Sequence, residues 1–95
     1  MTLHSNVKTV EKEQIKFLTF PKNEILEKRK DQANRSLELQ RALALGNLER
    51  QKVKITFVDD DGYKRVETTV WGVTDKSVIL KQATLIPLQR IVCVA

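Results

Sequence analysis

The sequence predicts an α+β protein, mainly β, in which an N-terminal helix precedes a small antiparallel barrel of five short strands. Residues 24–48 are rich in strong helix formers and contain no proline. From residue 53 onward, apolar and polar residues alternate, and turn-forming residues recur at short spacing. Short strands joined by tight turns are typical of a closed or nearly closed barrel.

The chain of 95 residues is short enough for one domain. We divide it into an N-terminal extension (residues 1–34), partly disordered or helical, and a domain of helix plus barrel (residues 35–95). An apolar patch at residues 15–20 is either a short strand or a segment that docks on the barrel.

The helix begins after Pro21, with Asn23 as a suitable N-cap. It runs unbroken over residues 24–48 or is interrupted near Asn34. Gly46 and Asn47 are residues that commonly end a helix.

Apolar residues lie on two sides of this helix, so the helix needs two neighbours. One side holds Leu37, Ala44, Leu45 and Leu48, and the other holds Leu39, Ala42 and Leu43. The barrel would cover one side, and the patch at 15–20 or a second copy of the chain would cover the other. Leu39, Leu43 and Trp71 are the candidate interface residues.

Five strands follow in order. The first covers residues 53–57, and a hairpin turn at 59–62 leads to a long second strand at 63–73. Gly72 indicates a bend or bulge in that strand. The remaining strands are predicted at residues 77–81, 84–88 and 90–94.

No residue pattern indicates catalysis, a cofactor or a small-molecule substrate. The one histidine, His4, has no companion, and Cys93 lies in an apolar strand as a small buried group. Asp59, Asp60 and Asp61 lack the spacing of a calcium loop and fit turn chemistry better. We therefore predict a protein that is not an enzyme and holds no metal.

The balance of 17 basic and 12 acidic residues gives a net charge of +5, which indicates a polyanionic partner or a solvated basic surface. The excess is spread evenly along the chain. No apolar run reaches the ~20 residues of a membrane span, and one cysteine fits a reducing compartment. These features predict a cytoplasmic protein without a membrane partner.

Trp71 is the most distinctive aromatic residue. We expect the helix to cover it, and the alternative is a stacking platform or an interface anchor.

The order of elements resembles the Sm-like and SH3-like small barrels over residues 36–95. The hairpin glycine, Gly62, and the apolar strand at 77–81 are similar to those of the bacterial Sm-like RNA chaperone, and the Rho-binding antiterminator resembles the pattern equally. Such chaperones carry a lysine and histidine pair where this chain has Gln89 and Arg90, and the arginine and glycine of their second motif are absent here.

This resemblance implies a small regulatory protein that binds RNA or an RNA-associated protein. Lys76, Lys81, Gln89 and Arg90 would contact the RNA. The alternative is a protein-interaction module that forms a homo-oligomer through its helix and binds no nucleic acid.

Overall fold

A computed structural model describes residues 7–95. His4 lies outside these residues. Within residues 7–95 the structure is α+β, with one long helix, α1 (Arg29–Glu49), in the middle of the chain and seven strands. The strands are β1 (Lys8–Thr9), β2 (Val53–Val58), β3 (Tyr63–Thr68), β4 (Val70–Val73), β5 (Ser77–Leu80), β6 (Thr84–Pro87) and β7 (Ile91–Val94). Three short 3-10 helices span Lys12–Phe17, Lys81–Ala83 and Leu88–Arg90.

The strands form two separate sheets. One has the order β1-β3-β2-β7 and the other the order β4-β5-β6. All neighbours are antiparallel except β1 and β3, which are parallel. The prediction of an N-terminal helix followed by a five-stranded barrel is therefore wrong, because the helix is central and neither sheet closes.

The edges of the sheets explain why no barrel forms. β1 occupies the outer edge of β3, and Glu38 of α1 accepts a hydrogen bond from the Val94 N–H at the edge of β7 (2.9 Å). In the other sheet, β4 packs against α1 and β6 against the 3-10 helix Lys12–Phe17. β1 thus pairs with the outer edge of β3, and β7, β4 and β6 each contact a helix instead of pairing with one another to close a barrel.

The hydrophobic core lies between the sheets and the helix. Its largest fully buried side chains include Phe57, Ile55, Leu80 and Ile86, and Leu39 and Ala42 enter it from α1. The patch at residues 15–20 contributes through a 3-10 helix whose Ile15 is buried. It docks on the sheets and does not form a strand.

The long helix is unbroken and begins five residues later than predicted. Asn23 does not cap it, and the N-cap is Lys28. Glu24 lies in the segment just before the helix. Its carboxylate accepts hydrogen bonds from the Leu26 N–H (2.9 Å) and from the two terminal guanidinium nitrogens of Arg35 (2.7 Å each). The residues between Glu24 and the helix are non-helical.

Gly46 does not end the helix. It is buried, and a Cβ at this position would collide with the carbonyl oxygen of Val70 and approach the Thr69 methyl to 3.1 Å. The glycine lets α1 lie directly on β4. The helix ends at Glu49 instead, and Arg50 caps it in the left-handed conformation (φ 52°).

The hairpin between β2 and β3 is held by a buried ion pair. The Asp59 carboxylate accepts hydrogen bonds from the N–H groups of Asp61 (2.9 Å) and Gly62 (3.0 Å) and from the Lys64 ammonium (3.1 Å). Gly62 has a φ of 144°, which other residues rarely adopt. The turn chemistry predicted for these aspartates is confirmed.

Candidate nucleic-acid interface

An open groove lies where the end of α1 meets the start of β4. Its volume is ≈ 510 Å³, which falls in the range of roughly 300–1,000 Å³ typical of ligand sites. The lining residues are Gly46, Asn47, Arg50, Lys52, Thr69, Trp71 and Lys81. Three of these seven are basic, and this lining, taken from residues 7–95, includes no aspartate or glutamate.

Trp71 forms the aromatic wall of the groove. It lies at a break in the pairing of β4 with β5, where Val70 pairs with Leu80 but Gly72 pairs with Ile79. Trp71 is thus the extra residue of a β-bulge, a feature that re-aims a side chain. The indole is 52% exposed. The expectation that the helix covers Trp71 is wrong, since the bulge presents the indole to the groove beside the helix end.

Arg50 and Lys52 reach the groove because of the way the helix stops. The Arg50 N–H donates to the Gly46 carbonyl (3.1 Å) and the Gln51 N–H donates to the Leu45 carbonyl (3.3 Å), which is the bonding of a left-handed helix cap. The cap turns the chain sharply toward β2. It places two cations, both exposed, on the same side as Trp71.

Lys81, which follows β5, also lines the groove. Its N–H donates to the Thr69 carbonyl (3.1 Å), which fixes the backbone beside the bulge. The next two residues, Gln82 and Ala83, both have positive φ (65° and 58°). A left-handed non-glycine residue costs roughly 1–3 kcal/mol, and such residues tend to cluster at functional sites. Of the non-glycine residues with positive φ among residues 7–95, Arg50 lines the groove, and Gln82 and Ala83 follow the lining residue Lys81 in the chain.

The four residues predicted to contact RNA do not lie together. Lys76 and Lys81 are exposed at the two ends of β5, and only Lys81 lines the groove. Gln89 is half-buried, and its carbonyl accepts a hydrogen bond from the Ile25 N–H (2.8 Å).

Arg90 is buried, with 4% of its surface exposed. Its guanidinium donates to the Val58 carbonyl (3.0 Å) and to the Asn23 carbonyl (2.9 Å) and side-chain oxygen (3.1 Å). The structure therefore places this side chain inside the molecule, where it holds residue 23 against the end of β2.

The three predicted interface residues, Leu39, Leu43 and Trp71, also lie apart from one another. Leu39 is buried in the core, and Leu43 packs against it. Both lie on the side of α1 that faces the molecule's own sheets, whereas Trp71 is at the groove. Cys93 is a half-buried free thiol in β7.

Sequence reasoning did not assign Asn47 or Arg50 to a functional site. Neither residue follows a strand pattern, and each becomes part of the groove only because Gly46 allows the helix end to approach Val70. The close approach is a tertiary property, and the glycine in a helical pattern was its only signal.

Of the helices in residues 7–95, none combines the length and the apolar character that crossing a membrane requires. The same part of the chain contains no group of three or more metal-ligating side chains placed to hold a metal ion. No protein-family model, curated protein or solved structure matches the chain.

Proposed function

We propose that this protein is a cytoplasmic, non-enzymatic binding protein that takes single-stranded RNA into the groove beside Trp71. The observation that carries the proposal is the half-exposed Trp71, which lies among three cations, Arg50, Lys52 and Lys81, in a lining to which the described part of the chain contributes no carboxylate. Single-strand binding sites combine these two features, a stacking surface for a base and positive charge for the phosphates.

The exposed Trp71 indole is the reason for proposing single-stranded RNA. A base can stack on Trp71 only if it is free to leave its own stack, as bases in loops and single strands are. Stacking on an aromatic side chain contributes roughly 1–3 kcal/mol per base and tolerates any base. We therefore expect weak sequence preference.

The three cations make binding depend on salt. Each phosphate that a cation neutralises releases condensed counterions, and the slope of log affinity against log salt is about −0.7 per phosphate on a single strand. Three contacts predict a slope near −2 by this relation. A partner protein bound through apolar contacts would show little of this dependence.

Trp71 is the one tryptophan of the chain, so its own fluorescence reports on the groove. Unlabelled 12-nucleotide RNA of mixed sequence, added at low salt, should quench the emission as a base stacks. Labelled RNA followed by anisotropy at several salt concentrations should give the expected slope, and a duplex of the same sequence should bind less tightly.

Trp71→Ala should weaken binding of the single strand by about tenfold, in line with the loss of one stacked base. Leu85→Ala is the matched control, because Leu85 has the same exposed fraction (52%) but lies outside the groove. Absence of binding to any single strand at low salt, or equal losses in the two variants, would overturn the proposal.

A further inference from the structure

The outward face of α1 is apolar at regular spacing. Ala33, Leu37, Ala44 and Leu48 are separated by four, seven and four residues, which places them on one side of a helix with 3.6 residues per turn. All four are exposed, Leu37 to 66% and Leu48 to 83%. The opposite side of the helix is buried in the protein's own core through Arg35, Leu39, Ala42 and Gly46.

The four side chains alternate in size along the chain, small–large–small–large. Read in the reverse direction the order is large–small–large–small, so it complements itself. If a second helix runs antiparallel, with its centre facing the point between Gln40 and Arg41, each leucine meets an alanine. Leu37 lies opposite Ala44 of the second copy, and Leu48 lies opposite Ala33. A parallel pairing would instead set leucine on leucine and alanine on alanine, which alternates crowding with gaps.

We propose that two copies of this protein associate through this face, with their α1 helices antiparallel about a twofold axis near residues 40–41. A twofold contact must be self-complementary, and alternation of large and small side chains is how helices interlock. The interface is distinct from the RNA groove, so the inference does not depend on the proposed function.

Charge on one flank of the face agrees with this arrangement. Arg41 and Glu38 lie one turn apart and on the same flank of the apolar stripe. In the antiparallel pairing, the two Arg41 side chains approach each other near the twofold axis, and Glu38 of each copy lies about 3 Å along the helix from Arg41 of the other copy. The Glu38 carboxylates, each of which keeps the hydrogen bond from the Val94 N–H of its own copy, offset part of the repulsion between the arginines.

The size of the face sets the strength of association. A contact of one helix face per copy buries on the order of 1,000 Å², which is at the low end of specific interfaces. We therefore expect a dissociation constant in the micromolar range, and a dimer that forms and separates reversibly.

Sedimentation of the full chain at 1–200 µM should show a change from one-chain to two-chain mass. Leu37→Glu should raise the dissociation constant at least tenfold, because a charge replaces one of the two inner side chains of the face. Leu85→Glu, the same change on an exposed leucine of β6, should leave association unchanged. A one-chain mass throughout this range, or equal effects of the two variants, would refute the dimer.

Disulfide formation tests the antiparallel orientation in a Cys93→Ala background. Leu37→Cys and Ala44→Cys chains should crosslink when mixed, and neither should crosslink alone. Two copies of residue 37 would stand about 10 Å apart along the axis, beyond the ~7 Å Cα separation that a disulfide spans. Crosslinking of either variant with itself would contradict the antiparallel pairing. Circular dichroism of each variant verifies that it is folded.

Discussion

Two sets of three cations differ in what surrounds them. Arg35, Lys64 and Arg90 are buried, and each is held by protein oxygens: the Glu24 carboxylate and the Ile91 carbonyl for Arg35, the Asp59 and Asp61 carboxylates for Lys64, and the Val58 and Asn23 oxygens for Arg90. Arg50, Lys52 and Lys81 are exposed around one groove.

The difference separates stability from binding. A buried cation that loses its charge leaves buried oxygens without donors, which costs folding free energy. An exposed cation contributes little to folding, because water already solvates it, and remains free to meet a phosphate. Substitution of one set should therefore change unfolding alone, and substitution of the other should change RNA affinity alone.

Arg90→Met is the sharpest test of the buried set. Methionine fills similar space but removes the donor to the buried Val58 carbonyl and to the two oxygens of Asn23, which is exposed and can bond water instead, so the free energy of unfolding should fall by about 1–3 kcal/mol. Urea unfolding followed by circular dichroism measures this loss. RNA affinity should stay within twofold under conditions where the variant is folded. Unchanged stability with weaker RNA binding would place Arg90 in the RNA site after all.

The carboxylates that hold the buried cations predict a smaller loss of stability in acid. Burial by itself would raise the pKa of Asp59, but hydrogen bonds from the Asp61 N–H, the Lys64 ammonium and the Gly62 N–H outweigh it and lower the pKa below the ordinary 3.8. The Arg35 guanidinium similarly lowers the pKa of Glu24 below 4.5.

The direction in which stability changes with pH follows from proton binding. Near pH 4 the unfolded chain binds more protons at these two groups than the folded chain does, so the stability they provide is present above about pH 5 and is lost as the pH falls toward 3. Thermal unfolding at pH 7, 5, 4 and 3 checks this. Asp59→Asn should be less stable at pH 7 and should lose less stability between pH 5 and 3. A wild-type melting temperature that stays constant down to pH 3 would contradict the assignment.

Lys81→Met is the matching test of the groove, and its effect is the smallest. The free energy of unfolding should change by less than about 0.5 kcal/mol, as is usual for an exposed position. RNA affinity should fall about threefold at low salt, and the salt slope should weaken by about 0.7. Lys76→Met, at the other end of β5, is the control and should change neither. Equal losses in both variants would indicate that general charge, and not the groove, attracts the RNA.

The local elements of this fold could be predicted from the sequence, but not their assembly. The alternation that predicts a strand at 53–57 is observed as β2 (Val53–Val58), and the predicted fourth strand is observed as β6 (Thr84–Pro87). Both patterns arise from neighbouring residues. Barrel closure depends on which strand edges meet, and the two residues of β1 that occupy the edge of β3 carry no alternation to reveal them.

The site shows the same limit. The sequence does not show whether a lysine or an arginine is buried or exposed. The burial of Arg90 and the exposure of Lys81 could therefore not be predicted before their surroundings were known. Burial of Arg90 depends on oxygens that lie 32 and 67 residues away in sequence. Exposure of Trp71 depends on a bulge that shifts the pairing by one residue, and the glycine beside it was only a partial signal.

The short strand β1 also bears on how the chain behaves in concentrated solution. Lys8 and Thr9 pair with Lys64 and Arg65, and the Val10 N–H donates to the Arg65 carbonyl (2.8 Å). Without these residues, the outer edge of β3 would offer unpaired backbone groups to the same edge of another molecule, a route to aggregation. Residues 8–10 thus protect the edge of β3 from fibre-like association, and truncation of the chain beyond residue 10 would remove this protection.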